Sequence, residues 1–194
     1  MTKIIGLTGG IGSGKTTIAN YIVSLGIPVY NADDEAKKIM QLPEIIQFLK
    51  EQFGEEIFEN NILNREKLSK IVFNNPDKLH QLNKIVHPAV KKHFDNWISQ
   101  HKKFPLVVKE AAILFESGSY KYCDNIITVT SPLETRIQRV MQRDITNRES
   151  VLCRIKNQWT DEQRIGKSDY IINNTTVKES YLQVDKILNL LKNQ

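Results

Sequence analysis

One glycine-rich stretch constrains this sequence more than any other feature: GLTGGIGSGKTT, residues 6–17. The run Lys3–Thr8, which leads into it, is largely apolar and β-branched, as is typical of a buried parallel strand. After the stretch, apolar residues recur at helical spacing from Ile18 to Val23. The glycines are therefore predicted to form a turn between a strand and a helix.

The spacing of this stretch is that of a phosphate-binding loop (P-loop), with the pattern G-x-x-x-x-G-K-T from Gly9 to Thr16. In such a loop, backbone N–H groups at a helix N-terminus surround a phosphate, the lysine reaches the outer phosphates, and the hydroxyl binds Mg²⁺. The alternative is a glycine-rich turn with an exposed lysine, but the flanking strand and helix favour phosphate binding. The residues predicted to contact ATP are Gly10, Ile11, Gly12, Ser13, Gly14, Lys15, Thr16 and Thr17.

Length and charge are compatible with a nucleotide-binding protein. A chain of 194 residues can bury a sizeable core, and we predict one compact α/β unit with insertions. The net charge of +5, from 27 Lys and Arg against 22 Asp and Glu, suits anionic partners. Charge alone does not distinguish nucleotides from nucleic acid.

The two cysteines, Cys123 and Cys153, have neither metal-ligand spacing nor a disulfide framework around them. A reducing compartment is therefore favoured, and both cysteines are interpreted as small packing residues. The sequence shows no signal peptide, and no apolar run approaches membrane-spanning length. We expect a soluble, cytoplasmic protein without a membrane partner.

Five strand-like runs separated by helical patterns predict a mostly parallel five-stranded sheet flanked by helices, as in P-loop kinases that act on nucleoside monophosphates. Ligands of such sheets bind beyond the carboxyl ends of the strands. The runs are Lys3–Thr8, Ile27–Tyr30, Pro105–Val108, Asn125–Val129 and Tyr170–Ile172.

Two helical excursions interrupt this pattern. Residues 33–103 contain no strand-like run, and Asn64 and Asn75 are predicted to cap helices there. A smaller excursion covers residues 132–167. We predict a substrate-binding insertion at 33–103, a lid at 132–167, and a nucleotide-binding core made of 1–32, 104–131 and 168–194.

Acidic residues follow two of the predicted strands. Asp33 follows the second strand and is a candidate for the base that accepts a hydroxyl proton; equally, it could cap the next helix. Glu110 follows the third strand and resembles the Walker B acid that supports Mg²⁺, with a surface residue as the alternative.

Three arginines recur at helical spacing in the predicted lid: Arg136, Arg139 and Arg143. Mobile arginines can stabilise the charge on a transferring phosphoryl group, although a solvated basic face is the commoner use of such a stripe. Arg154 and Gln158, one turn apart, could contribute in the same way or lie on the surface. His87, before Pro88, is predicted to lie at a helix break, where it binds substrate or makes a structural hydrogen bond.

Taken together, these residues resemble the dephospho-CoA kinase family over nearly the whole chain. The motifs that carry the resemblance are Gly6–Thr16, Ala32–Asp33, Leu63–Leu68, Ile85–Pro88, Leu114–Ser117, Arg139–Asp144, Arg154–Gln158 and Asp169–Asn174. The resemblance implies ATP-dependent phosphorylation of the ribose 3′-hydroxyl of dephospho-CoA, with Asp33 as base and an insertion that binds the CoA part. It also implies an ATP lid that carries Arg139 and Arg143. The residues that it suggests for substrate binding are Asp33, Lys37, Arg65, His87 and Glu110.

The sequence departs from the family pattern at three places. Asn31 replaces the first acid of an Asp-Ala-Asp segment, Lys37 stands in place of an arginine, and Glu110-Ala111-Ala112 replaces Asp-x-Pro. The alternative enzyme is another small-molecule P-loop kinase acting on a nucleoside or nucleotide. A nucleic-acid-binding protein or nucleotide switch is disfavoured, because the sequence has neither a guanine-reading segment nor an aromatic-rich basic ribbon. We expect a monomer or a weak homo-oligomer.

Overall fold

The computed structural model describes residues 2–73 and 75–192. These residues divide into two compact units, one spanning Met1–Asn31 and His101–Gln194 and the other spanning Ala32–Gln100. The first unit contains the P-loop and the large sheet, and the second is mostly helical. Each unit has a hydrophobic cluster of its own.

The first unit is built on a five-stranded sheet in which every neighbouring pair is parallel. This confirms the predicted fold class. The spatial order is β2-β5-β1-β6-β7, so that β1 lies in the centre. The strands are β1 (Lys3–Thr8), β2 (Val29–Asn31), β5 (Leu106–Glu110), β6 (Asn125–Thr130) and β7 (Tyr170–Asn173).

Helices α1 and α9 pack against this sheet. Their apolar positions, among them Ile18, Ile22 and Leu188, join Leu7 and Val129 of the strands in one buried cluster. The helices of this unit are α1 (Lys15–Ser24), α6 (Leu133–Asp144), α7 (Arg148–Lys156), α8 (Asp161–Ile165) and α9 (Val177–Lys192).

The strand register brings several carboxyl ends to the same edge of the sheet. Glu110, the last residue of β5, is paired with Leu7 of β1 and with Asn31 of β2. The P-loop begins directly after β1, at this same edge. The arrangement follows the general rule that ligands of parallel sheets bind at the carboxyl ends of the strands.

The second unit consists mainly of four helices: α2 (Ala32–Ile39), α3 (Pro43–Phe53), α4 (Arg65–Phe73) and α5 (Pro76–Gln100). Asn64 caps α4 by accepting hydrogen bonds from the N–H groups of Glu66 and Lys67. Asn75 caps α5 in the same way. Both predicted caps are confirmed.

A short hairpin in this unit corrects the prediction that residues 33–103 contain no strand. The strands are β3 (Phe58–Glu59) and β4 (Ile62–Leu63), which pair antiparallel. The turn between them places Asn60 and Asn61 at φ 50° and 63°. Asparagine tolerates this left-handed region, which a two-residue hairpin turn requires at both positions.

The predicted helix break at His87-Pro88 is wrong. Helix α5 continues through Pro88 to Gln100. Proline removes one backbone hydrogen bond from a helix interior, but α5 packs against α2, α3 and α4, and this tertiary packing maintains the helix. Among the described residues, no helix has the length and apolarity needed to cross a bilayer.

The two cysteines are both free thiols but differ in environment. Cys123 is largely buried, with its sulfur close to Gly6 of β1, and this burial raises the pKa of its thiol to about 11. Cys153 is exposed on α7, so its interpretation as a packing residue is wrong.

This difference predicts unequal alkylation of the two thiols. At pH 8, iodoacetamide should modify Cys153 at least about tenfold faster than Cys123, because the thiolate is the reactive form and burial keeps Cys123 protonated. Raising the pH towards the pKa of Cys123 should reduce the difference between the two alkylation rates. Peptide mass spectrometry of a time course measures both alkylation rates. Faster labelling of Cys123 than of Cys153 at pH 8 would contradict the environments described for the two thiols.

Candidate active site

The P-loop joins β1 to α1 as predicted. Gly14 has φ 93°, in the left-handed region that favours glycine, and α1 begins at Lys15. Lys15 Nζ donates a hydrogen bond to the Gly9 carbonyl at 3.0 Å, so the lysine side chain turns back over its own loop. The first turn of α1 contains no acidic residue. The positive end of the helix dipole is therefore not offset by a carboxylate of its own first turn, which favours an anionic ligand.

Side chains from other elements press against the loop and leave no room for β-carbons. Adding a β-carbon to Gly10 would make it collide with the guanidinium of Arg136, and adding one to Gly14 would make it collide with the Asn174 amide. The Asn174 Nδ2 atom donates to the Ser13 carbonyl at 2.7 Å. The glycines thus permit close approach of protein groups as well as of a ligand.

Arg139, a member of the predicted arginine stripe, lies beside the P-loop at Gly12. Its guanidinium donates to Gly12 O at 3.5 Å, to Ser131 Oγ at 3.3 Å and to Asn174 O at 3.4 Å. These contacts hold a cation next to the P-loop. A role in clamping ATP stays a prediction.

Arg143 is not brought to the loop by these contacts. Its side chain is 60% exposed and pairs with Asp144 at 2.7 Å, while Arg154 pairs with the other oxygen of the same carboxylate at 2.6 Å. The two guanidinium groups, Arg143 first, hold the pKa of Asp144 well below its usual range. A clamping role for Arg143 would require the arginine to leave this ion pair, and it stays a prediction.

Arg136 is buried, at 5% exposure, so a solvated basic face is the wrong interpretation for this residue. Its Nε donates to the Ile11 carbonyl at 3.0 Å, and its Nη1 pairs with Asp161 at 2.8 Å. The Ile11 N–H donates to Gln158 Oε1 at 2.9 Å. Gln158 therefore contacts the P-loop and does not merely lie on the surface.

A chain of ion pairs that includes two buried arginines, Arg136 and Arg164, was not predicted. Arg164 is fully buried and pairs with Asp161 and Glu116, each at 3.3 Å. Burial lowers the pKa of Arg164, and the two carboxylates act in the opposite direction. Glu116 also accepts a hydrogen bond from the backbone N–H of Trp159. Glu116 lies in Leu114–Ser117, one of the motifs through which the sequence resembles the family. This motif was the sequence signal for these ion pairs.

Glu110 lies at the carboxyl end of β5 with only 3% exposure, so the surface alternative for this residue is wrong. Its strand neighbours Leu7 and Asn31 end at the same edge of the sheet. Asn31 places a neutral amide beside Glu110 in this register, so Glu110 supplies the carboxylate of this β2–β5 pair.

Asp33 lies in the first turn of α2, together with Asp34 and Glu35. Because α2 begins at Ala32, Asp33 lies inside the helix and does not cap it. Its carboxylate is still favoured there by the helix dipole. Asp34 pairs with Lys37 at 2.6 Å, and Glu35 pairs with Lys38 at 2.7 Å.

The helical unit contains an open cleft of about 600 Å³ that brings together two of the predicted substrate-binding residues, Lys37 and Arg65. Apolar side chains of α4 and α5, with Met40 just after α2, form much of its wall. Its lining consists of Lys37, Met40, Arg65, Glu66, Leu68, Ser69, Lys70, Val72, Leu79 and Leu82. His87, half-buried in the middle of α5, does not appear in this lining of described residues.

The metal predicted for this site fits the chemistry of two side chains of the first unit. Thr16 supplies a hydroxyl in the first turn of α1, and Glu110 supplies a buried carboxylate. Both are hard oxygen donors, as Mg²⁺ prefers. Within the described ranges, no group of three or more His, Cys, Asp or Glu side chains could hold a metal ion. At nucleotide sites, Mg²⁺ usually takes phosphate oxygens and water as further ligands.

Comparison with known proteins adds independent evidence. The sequence matches the model of the family described as Dephospho-CoA kinase over residues 3–179. A dephospho-CoA kinase from Fusobacterium nucleatum is 38% identical over 185 residues, which cover 94% of this chain and 95% of that protein. The crystal structure of a Thermus thermophilus protein superposes with a TM-score of 0.91 at 34% identity, covering 97% of both chains. The dephospho-CoA kinase from Campylobacter jejuni gives a TM-score of 0.71 at 26% identity, covering 100% of this chain and 98% of that one.

Proposed function

The chain belongs to the dephospho-CoA kinase family, and on this premise we propose how its own residues carry out the reaction. The activity is the ATP-dependent phosphorylation of the ribose 3′-hydroxyl of dephospho-CoA, which yields coenzyme A and ADP. The P-loop at the carboxyl edge of the parallel sheet, with Arg139 beside it, is the observation that carries the assignment of the ATP site.

ATP binds with its phosphates along Gly10–Thr17. The loop N–H groups and the start of α1 supply partial positive charge, and Lys15 exchanges its contact with Gly9 O for oxygens of the outer phosphates. Arg139 stabilises the charge that develops on the transferring group, and Arg143 joins it when the lid closes. The support for Arg139 is its position within 3.5 Å of the loop carbonyl at Gly12.

Asp33 serves as the general base. The 3′-oxygen of the acceptor bonds to the γ-phosphorus, the bond from that phosphorus to the bridging oxygen breaks, and ADP leaves with the electron pair. The hydroxyl proton passes to the Asp33 carboxylate. One observation supports this role: Asp33 follows the carboxyl end of β2 by two residues. The sequence resemblance to the family also implies it.

Mg²⁺, when bound with ATP, neutralises charge on the β- and γ-phosphates. Thr16 and Glu110 are the residues that would hold it. Glutamate at position 110 has a longer side chain than the usual aspartate, so its carboxylate can reach the ion directly or through a water molecule.

The cleft of the helical unit is the proposed site for the acceptor. Dephospho-CoA carries a diphosphate and a long pantetheine arm. The cations Lys37, Arg65 and Lys70 suit the diphosphate, and the apolar wall suits the arm. His87, outside this lining, remains a weaker candidate for substrate contact.

Replacing Arg65 by glutamine should raise the KM for dephospho-CoA about tenfold and leave the Kd for ATP unchanged, because a charge-assisted contact to the acceptor is lost. Lys67→Gln is the matched control, since Lys67 lies on the same helix and pairs with Glu59, away from the cleft lining. Steady-state kinetics with each substrate varied in turn measure the effect. Equal KM values for dephospho-CoA in both variants and the wild type would show that the acceptor does not bind in this cleft.

The activity is tested by coupled ADP release with dephospho-CoA against a panel of nucleosides and nucleotides. Turnover should require dephospho-CoA and divalent metal, and mass spectrometry of the product should place the new phosphate on the 3′-oxygen. Turnover of a nucleotide without turnover of dephospho-CoA would reassign the protein to the nucleotide kinases.

We propose a cytoplasmic location and a monomeric or weakly homo-oligomeric state for this protein. A kinase of free metabolites needs neither a membrane nor nucleic acid, and this supports the cytoplasmic location. Light scattering at micromolar concentration tests the oligomeric state directly.

A further inference from the structure

Ile11, in the P-loop, is held through both of its flanking peptide groups by the segment 132–167. Its N–H donates to Gln158 Oε1 at 2.9 Å, and its carbonyl accepts from Arg136 Nε at 3.0 Å. The Ile11 side chain packs against the small apolar cluster of Ile137, Val140 and Val151. Three separate contacts therefore fix one residue in the middle of the loop.

The two neighbours of Ile11 explain why such anchoring matters. Gly10 and Gly12 have no side chains, so the peptides on either side of Ile11 lack the steric restriction that fixes ordinary residues. Both glycines lie directly against Arg136, where an added β-carbon would collide with its guanidinium or its backbone. The orientation of the loop N–H groups is thus set by groups outside the loop.

Arg136 is itself locked in place. It pairs with Asp161 Oδ2 at 2.8 Å, and the same oxygen accepts from Thr130 Oγ1 at 2.7 Å. Arg164 pairs with the other oxygen of Asp161 and continues to Glu116. Alternating charges run from Glu116 to Arg136, and a buried chain of this kind has few alternative arrangements.

We propose that Arg136 and Gln158 are positioning residues for ATP: Gln158 fixes the Gly10–Ile11 peptide, Arg136 fixes the Ile11–Gly12 peptide, and together they aim the P-loop N–H groups at the phosphates. Neither residue needs to contact the nucleotide for this purpose, because a preorganised set of N–H dipoles binds an anion without reorganisation. Arg139 and Lys15 have a different task, since they supply charge directly. The inference rests on the proposed use of ATP, and the measurement that decides it, nucleotide affinity, is made without the acceptor.

Gln158→Met removes the oxygen that accepts from Ile11 and keeps the length of the side chain. Calorimetry should show the Kd for ADP and for ATP rising about fivefold to tenfold, the size expected for one lost hydrogen bond. The Kd for dephospho-CoA should stay within about twofold, and the melting temperature of the unliganded protein should fall by no more than about 4 °C. In the kinetic assay, the KM for ATP should rise more than kcat falls. Gln142→Met, on the exposed face of α6, is the control and should behave as the wild type.

Arg136→Lys tests the contact to the Ile11 carbonyl. Lysine keeps the positive charge but loses the Nε donor and the planar fork, so nucleotide binding should weaken about tenfold to a hundredfold. Arg148→Lys is the control, because Arg148 pairs with Glu134 on the surface of the same segment. Nucleotide affinity equal to the wild type in Arg136→Lys would show that charge alone suffices and would overturn the role of Arg136.

Two results with Gln158→Met would overturn the proposal. Unchanged affinity for ADP and ATP would mean that the Ile11 contact has no role in binding. Tighter binding would mean that Gln158 competes with the nucleotide for the Ile11 N–H. If Arg136→Lys does not fold, Gln158→Met decides the question, since it removes only one neutral hydrogen bond. A wild-type protein that binds ADP but does not phosphorylate dephospho-CoA would refute the acceptor and leave this test intact.

Discussion

Replacing Lys15 by methionine should lower kcat about 10²- to 10³-fold and weaken ATP binding. The lysine is the cation placed within the P-loop itself, and its Nζ already lies over the loop at Gly9 O. Methionine keeps the length of the side chain and removes the charge. The coupled assay with dephospho-CoA measures kcat, and calorimetry with ATP measures binding.

Lys178→Met is the matched control, because Lys178 also lies in the first turn of a helix, α9, and is exposed there. It should retain kcat within about twofold. The melting temperature of Lys15→Met should stay close to that of the wild type, since methionine matches the length of the half-buried lysine side chain. Turnover of Lys15→Met above about a tenth of the wild-type rate would exclude the lysine from phosphoryl transfer.

Replacing Asp33 by asparagine should lower kcat about 10²- to 10⁴-fold while the Kd for ATP changes by less than about threefold. Asparagine has the same shape but cannot accept the hydroxyl proton. The split between kcat and ATP affinity is what distinguishes a base that acts on the acceptor from a residue that holds nucleotide. Single-turnover measurements with radiolabelled ATP report the chemical step directly.

Asp34→Asn is the control for this variant, because Asp34 is the next residue on α2 and pairs with Lys37 at the surface. Its kcat should stay within about threefold of the wild type. An equal loss in both variants would point to the first turn of α2 as a whole and would take the assignment away from Asp33.

Much of the fold could be predicted because it is encoded in local patterns. The run of β-branched residues before the P-loop, the asparagines at helix starts and the glycine at the start of α1 each specify their own backbone. The hairpin at Asn60-Asn61 was also encoded locally, but strands of two residues are too short to give a periodic signal. The course of α5 through Pro88 depends on packing against other helices, which no local pattern reports.

The site was predictable only in part, for a related reason. The residues of the P-loop can be recognised from their spacing in the sequence. The groups that hold the loop, in contrast, come from distant positions in the chain. Gln158 and Asn174 are 147 and 161 residues away from their partners in the loop. The spacing of an arginine stripe does not indicate which of its arginines is buried. The burial of Arg136 depends on its ion pair with the Asp161 carboxylate, which the spacing does not reveal. Charge pairing in the interior is a tertiary property.

The close approach of Arg136 to Gly10 has a consequence for how this family can vary. The P-loop pattern leaves position 10 open to any residue, and Gly10 does not have the positive φ that would demand glycine. The missing side chain is accounted for by the guanidinium beside it. Across homologous sequences, glycine at this position should therefore covary with arginine at position 136. In homologues that lack this arginine, a residue larger than glycine becomes permissible at position 10 of the loop.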